Sequence, residues 1–177
     1  VEIGSKVIGI DGGRVVSFRP VGAPIGPEDE QFLLGVYGST REDELALTNW
    51  DEQQRRTFLK MQLDAQHVHY RGQYPAAEYL VILVDGVAVG RLYVAETREE
   101  VRILDITVLP EYRGGGIGIA IVKELMPIAG SKGKPLGIYV ESFNRSLGLF
   151  ERLGFVKTAE NGYSFLMHWT GAVIGGQ

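Results

Sequence analysis

The chain has 177 residues and a mass of 19.5 kDa, enough for one domain with its own core. With 45% apolar and 23% charged residues it is neither disordered, collagenous nor a coiled coil, and a net charge of −4 argues against a nucleic-acid binder. No cysteine is present, which excludes disulfides, thiolate metal sites and a cysteine nucleophile and suits a cytoplasmic location; the longest apolar run, 79–84, is far short of the ~20 residues that span a membrane.

Residues 1–14 read as an extension or edge segment, 15–170 as the main domain and 171–177 as a flexible tail. Asp11-Gly12-Gly13 signals a turn before a short strand at 15–19. The segment 20–27, rich in Pro and Gly, cannot be a helix interior. Helical spacing over 28–37 follows, closed by Gly38-Ser39-Thr40. Asn49-Trp50-Asp51-Glu52 has the capping-box pattern, and a second helix is expected over 51–70. Strands at 79–84 and 87–94 flank Asp85-Gly86, a type I′ hairpin signal. A strand at 101–109 runs into Pro110 and the cluster Gly114-Gly115-Gly116-Ile117-Gly118. The helix behind that cluster should kink or end at Pro127. A strand at 136–141, a short helix at 145–153 capped by Gly154, and a hairpin around Asn161-Gly162 complete the chain.

A strand entering a glycine-rich turn that opens a helix is a phosphate-binding arrangement. The first helical N–H groups lack internal partners, the helix dipole is positive there, and glycine lets the backbone approach. Arg113 adds a permanently charged fork of donors. No P-loop string occurs, and the Gly-x-Gly-x-x-Gly spacing of dinucleotide sites fails at Ile119 and Ile121.

Arg-x-x-Gly-x-Gly, from Arg113 to Gly118 after Ile106-Thr107-Val108-Leu109-Pro110, resembles motif A of the GNAT acyl-CoA-dependent N-acetyltransferase superfamily. Asn144, followed by Leu149-Phe150-Glu151-Arg152-Leu153-Gly154-Phe155, resembles its second motif; the likeness covers about residues 15–169 and extends to small bacterial GNAT proteins of unknown substrate. The resemblance implies a single-domain α/β (α+β) fold. Its mixed, mostly antiparallel sheet would carry a splayed fourth and fifth strand and helices on both faces. It implies acetyl-CoA as co-substrate, no metal, and direct transfer to a small-molecule or peptide amine. Backbone groups of Ile106 and Val108 would pair with the pantetheine arm, and an N–H near Ile106–Thr107 would polarise the thioester. Arg113, Gly114, Gly115, Gly116, Ile117 and Gly118 would hold the diphosphate, with Asn144 and Phe150 beside the cofactor. Neither a nucleic-acid nor a membrane partner is expected, and a homodimer stays open.

The chain departs from the family at Phe150, where relatives place a tyrosine that protonates the leaving thiolate. Water, Tyr139 or Tyr112 could serve instead; otherwise the chain would be a non-catalytic acyl-CoA-binding module. Asp105 and Glu141 are both candidates for the base, each with a plain alternative as a salt bridge or cap. Strand alternation puts Asp105 on one face with Ile103 and Thr107, and Glu141 with Tyr139. His67 and His69 face different sides of their helix, so they make no metal pair. Trp50 and the acidic run at 42–44 lie where the family walls its acceptor site.

Overall fold

Eight strands form one sheet in the order β1-β2-β3-β4-β5-β6-β8-β7 in the computed structural model, which describes residues 2–171. The strands are β1 (Ile8–Ile10), β2 (Arg14–Pro20), β3 (Glu78–Val84), β4 (Val87–Glu96), β5 (Val101–Val108), β6 (Leu136–Glu141), β7 (Val156–Asn161) and β8 (Ser164–Trp169). The helices are α1 (Pro27–Ser39), α2 (Glu42–Ala46), α3 (Glu52–Gln73), α4 (Ile117–Ser131) and α5 (Ser146–Arg152). Every neighbouring pair is antiparallel except β5–β6. Among the described residues no helix is long and apolar enough to cross a membrane. The expected tail lies, beyond Gly171, outside the described residues.

The sheet separates two apolar layers. Ile82, Leu92 and Ile103 face Ile121 and Leu125 of α4 on one side. Val81 and Tyr93 face Leu33 and Leu34 of α1 and Leu63 of α3 on the other. This is the expected architecture, with one strand and one short helix, α2, more. β1 pairs at the sheet edge with β2, Ile8 opposite Val16.

Local chemistry explains most element ends. Asp85 and Gly86 both take positive φ (48° and 81°), as a type I′ turn needs. In the last hairpin Asn161 pairs with Ser164, so the loop is Gly162-Tyr163 and only Gly162 has positive φ, contrary to a turn centred on Asn161-Gly162. The capping box is real but lies two residues beyond the expected one. The Asp51 carboxylate accepts from Gln54 N at 2.8 Å, and Gln54 Oε1 accepts from Asp51 N at 2.9 Å. α3 then runs on to Gln73. Pro127 neither ends α4, which continues to Ser131, nor faces the core. It is exposed, so the carbonyl it leaves unpaired can turn to water.

One irregularity shapes the sheet. Tyr93 pairs with Asp105 but Val94 with Ile103, leaving Leu104 as an extra residue in β5. Such a bulge bends and twists its strand. The parallel β5–β6 pairing consists of Val101↔Leu136, Arg102↔Gly137 and Ile103↔Ile138, and stops one residue before the bulge. β5 continues to Val108 and β6 to Glu141, so the two strands splay apart.

Candidate active site

The splay leads directly to the glycine turn. A 3₁₀ turn, Pro110–Tyr112, follows β5, and Arg113 Nε donates to Val108 O at 2.9 Å, tying the guanidinium to the strand end. Gly114 and Gly116 both have φ +79°, a conformation that disfavours any side chain. No side chain caps α4. Its leading N–H groups are therefore available to an anion, with the positive end of the helix dipole behind them. Alternate residues of β5 also direct N–H and C=O groups away from β4, towards the gap. Ile106 and Val108 pack their side chains into the α4 layer, so their backbones form the rim.

The other candidates spread around this rim. Asn144 Oδ1 accepts from Ser146 N at 2.9 Å and Ser146 Oγ at 2.8 Å, capping the start of α5. Its amide can still donate. Phe150 is buried in the α4 layer with its ring edge-on to Phe155 at 5.2 Å, so its ring is a packing element. Tyr139 and Glu141 alternate outward from β6, on the face opposite Ile138 and Val140. Tyr139 is 45% exposed, with the Arg102 guanidinium 5.0 Å from its ring centre. Arg102 also pairs with Glu100. The Glu141 carboxylate is exposed and forms no ion pair or hydrogen bond among the described residues.

Asp105 stands in a different setting. The bulge breaks the expected alternation, so Ile103 lies in the α4 layer while Asp105 and Thr107 face α3. Asp105 Oδ2 accepts from Arg91 Nη2 at 2.8 Å, and Oδ1 accepts from the Thr107 hydroxyl at 2.6 Å. Arg91, on β4, is 1% exposed and also donates to Gln66 Oε1 of α3 at 2.9 Å. Burial opposes the Arg91 charge, yet Asp105 and the Tyr93 phenol hold its pKa above the ordinary value. His67 shares a 2.6 Å hydrogen bond with Tyr93 Oη. Burial, then the Arg91 and Arg71 charges, push its pKa down to about 4, so the imidazole is neutral at pH 7. Burial lifts the Tyr93 phenol to about 12. Tyr70, likewise raised to about 12 by burial, donates its hydroxyl to Leu104 O at 3.2 Å and so holds the bulge itself.

Sequence reasoning offered a salt bridge for Asp105, which the Arg91 pair bears out, but missed the network around it. Its one visible signal was Arg91 inside the apolar run of β4, where an unpaired charge would be too costly to bury. Trp50 lies apart from it. It packs on Phe58 at 5.0 Å and lines an open groove of about 490 Å³ with Thr57 and Met61.

Comparison with known proteins agrees with this fold. The chain superposes on a PaiA N-acetyltransferase from Thermoplasma acidophilum in complex with coenzyme A (TM-score 0.62, 19% identity, 88% of this chain and 99% of that one). It also superposes on PH1933 from Pyrococcus horikoshii (TM-score 0.65, 17% identity, 89% and 99%). At these identities the likeness is one of fold. In sequence it is 42% identical over 53 residues to a glucosamine 6-phosphate N-acetyltransferase from Trypanosoma brucei brucei, over 30% of this chain and 35% of that relative's length. The chain thus spans about a third of the curated relative it matches. A family model described as "Acetyltransferase (GNAT) family" matches residues 43–155, more than half of the chain and both motifs. The chain belongs to the acetyltransferase (GNAT) family.

Proposed function

We propose that the protein transfers an acetyl group from acetyl-CoA directly to an amine. The observation that carries this reading is the splay: pairing stops at Ile103↔Ile138, and the same strand leads into the uncapped glycine turn. Residues 104–108 offer about 16 Å of strand edge for a pantetheine arm, at ~3.3 Å per residue. The diphosphate would then reach the N–H groups and cation of residues 113–118. An N–H near Ile106–Thr107 would stabilise charge developing on the thioester oxygen.

The amine attacks the carbonyl carbon, the C–S bond breaks, and CoA departs as thiolate. The amine proton goes to a base, and the thiolate takes a proton from Tyr139 or water. Glu141 is the better base of the two carboxylates. It is unpaired among the described residues, whereas both oxygens of Asp105 are engaged. The chain has no cysteine, which agrees with transfer without an acyl-enzyme.

The test is thermal. Acetyl-CoA at 100 times its Kd adds about 2.7 kcal/mol, or roughly 5–11 °C of Tm at this size. Gly116→Asp abolishes the shift by putting a side chain and a negative charge in the turn. An amine panel that includes glucosamine 6-phosphate, read as released CoA, follows. A second reading, a non-catalytic acyl-CoA-binding module, is favoured by the buried Phe150, which has no proton to give. Tight acetyl-CoA binding with no CoA release from any amine would select it. Identical melting with acetyl-CoA and buffer would refute both.

A further inference from the structure

The hairpin β1–β2 contributes something the motif region does not contain. Arg14, the first residue of β2, follows Asp11-Gly12-Gly13, where Gly12 and Gly13 both take positive φ. That turn aims the Arg14 side chain across the molecule. Its Nε donates to Asp11 O at 3.2 Å, and its Nη2 donates to Gly115 O at 3.1 Å. The contact joins residues 101 positions apart, at the centre of the glycine turn. A side chain at 115, whose φ is not positive, would crowd the guanidinium. A Cβ there would sit 3.1 Å from Arg14 Nη2 and 3.4 Å from Nη1.

Peptide geometry gives the contact a consequence. Gly115 O and the Gly116 N–H belong to one planar trans peptide, so they point in opposite directions. A guanidinium fixed on the carbonyl therefore fixes the N–H on the far side. Between glycines such a peptide is otherwise free to rotate, because neither flanking residue has a Cβ to restrain it. The next peptide towards α4 needs no such device, since Gly116 O accepts from Ala120 N at 3.0 Å.

We propose that Arg14 is a positioning residue for the acyl-CoA site: it clamps the Gly115–Gly116 peptide so that the Gly116 N–H faces the diphosphate. The N-terminal hairpin is then part of the cofactor site. The inference rests on the acetyl-CoA reading. Arg14 is specific as a fork, because two donors at fixed spacing hold Asp11 O and Gly115 O together. A lysine ammonium cannot reproduce that pair.

The experiment compares Arg14→Gln and Arg14→Lys with the parent, using acetyl-CoA, its 3′-dephospho form and S-acetylpantetheine, which lacks the diphosphate. Kd is measured by calorimetry, or by competition for the weakest ligand, and the unliganded Tm of each variant is recorded. Losing a clamp on a charge-assisted hydrogen bond weakens binding about tenfold or more. The expected result is that loss in both variants, for acetyl-CoA and equally for 3′-dephospho-acetyl-CoA. Relative to the parent, the affinity ratio of acetyl-CoA to S-acetylpantetheine falls by the same factor. A loss confined to full acetyl-CoA would make Arg14 a 3′-phosphate ligand and overturn the clamp. Full affinity in Arg14→Lys would show that charge alone matters and overturn it too. Equal weakening for all three donors, with a lowered unliganded Tm, would reduce the contact to a fold staple. A parent that binds none of the three would refute the acetyl-CoA reading itself, and the clamp with it.

Discussion

Replacing Asp105 with asparagine separates its structural from its chemical role. Its carboxylate is the negative partner of Arg91, whose guanidinium is 1% exposed, with Nε and Nη1 meeting no hydrogen-bond acceptor among the described residues. The amide of the variant would still accept from Thr107 but would leave the buried cation without a counter-charge. Breaking a buried pair on one side costs about 3–5 kcal/mol. The Asp105 side chain is 18% exposed, which admits some water and favours the lower figure. At ~2–4 °C per kcal/mol for a domain of this size, Asp105→Asn should lower Tm by about 6–12 °C. Arg91→Met in the same chain should restore most of that, because the stranded charge goes with it. Differential scanning calorimetry of the parent, the single variant and the double variant reads both numbers, with turnover measured alongside. A single variant as stable as the parent but without turnover would refute this reasoning and make Asp105 the base.

Three further outcomes follow. Glu141→Gln should lower kcat by about 10²–10⁴ with little change in acetyl-CoA affinity if Glu141 takes the amine proton; unchanged rates from pH 6 to 9 would remove it from the mechanism. Phe150→Tyr buries a hydroxyl in an apolar layer against Phe155, so urea titration should show a loss of about 1–3 kcal/mol unless the phenol reaches the splay, where turnover would rise instead. His67 binds its proton less readily folded, at about 4, than unfolded, near 6.5. Between those values the unfolded state holds the extra proton, so stability falls as pH falls, by up to about 3 kcal/mol over the window. His67→Gln should flatten that part of the stability–pH curve, and an unchanged slope would place the titration elsewhere.

The sequence carried the parts of the fold that follow a period or a dipeptide. The β3–β4 hairpin was legible because Asp85-Gly86 sits between apolar runs, and the glycine turn because helix entry with positive φ needs glycine at 114 and 116. β1 was legible only as an extension or edge segment, since three residues are too few to establish a period. The capping box was misplaced because Asn49 and Asp51 are both good caps and each has an acceptor side chain three residues on; the fold, not the pattern, chose Asp51. Alternation puts Asp105 on one face with Ile103 and Thr107; the extra residue Leu104 keeps it with Thr107 but moves Ile103 to the other face. Nothing local marks a bulge, because it is set by pairing with β4 and by Tyr70 of α3 holding Leu104 O. The Arg14–Gly115 contact was invisible for the same reason, joining segments that only the closed sheet brings together.

On the proposed reading, one acyl-CoA molecule lies along the β5–β6 splay with its diphosphate on the glycine turn. A crystal structure of the protein grown with acetyl-CoA tests this most directly. The pantetheine arm should lie beside residues 104–108, hydrogen-bonded to the backbone of β5. The diphosphate should sit on the N–H groups of residues 114–118, and the thioester within reach of Tyr139 and Glu141. Acetyl-CoA bound elsewhere, for instance in the groove along Trp50 and Phe58, with β5 and β6 closed onto each other, would contradict it.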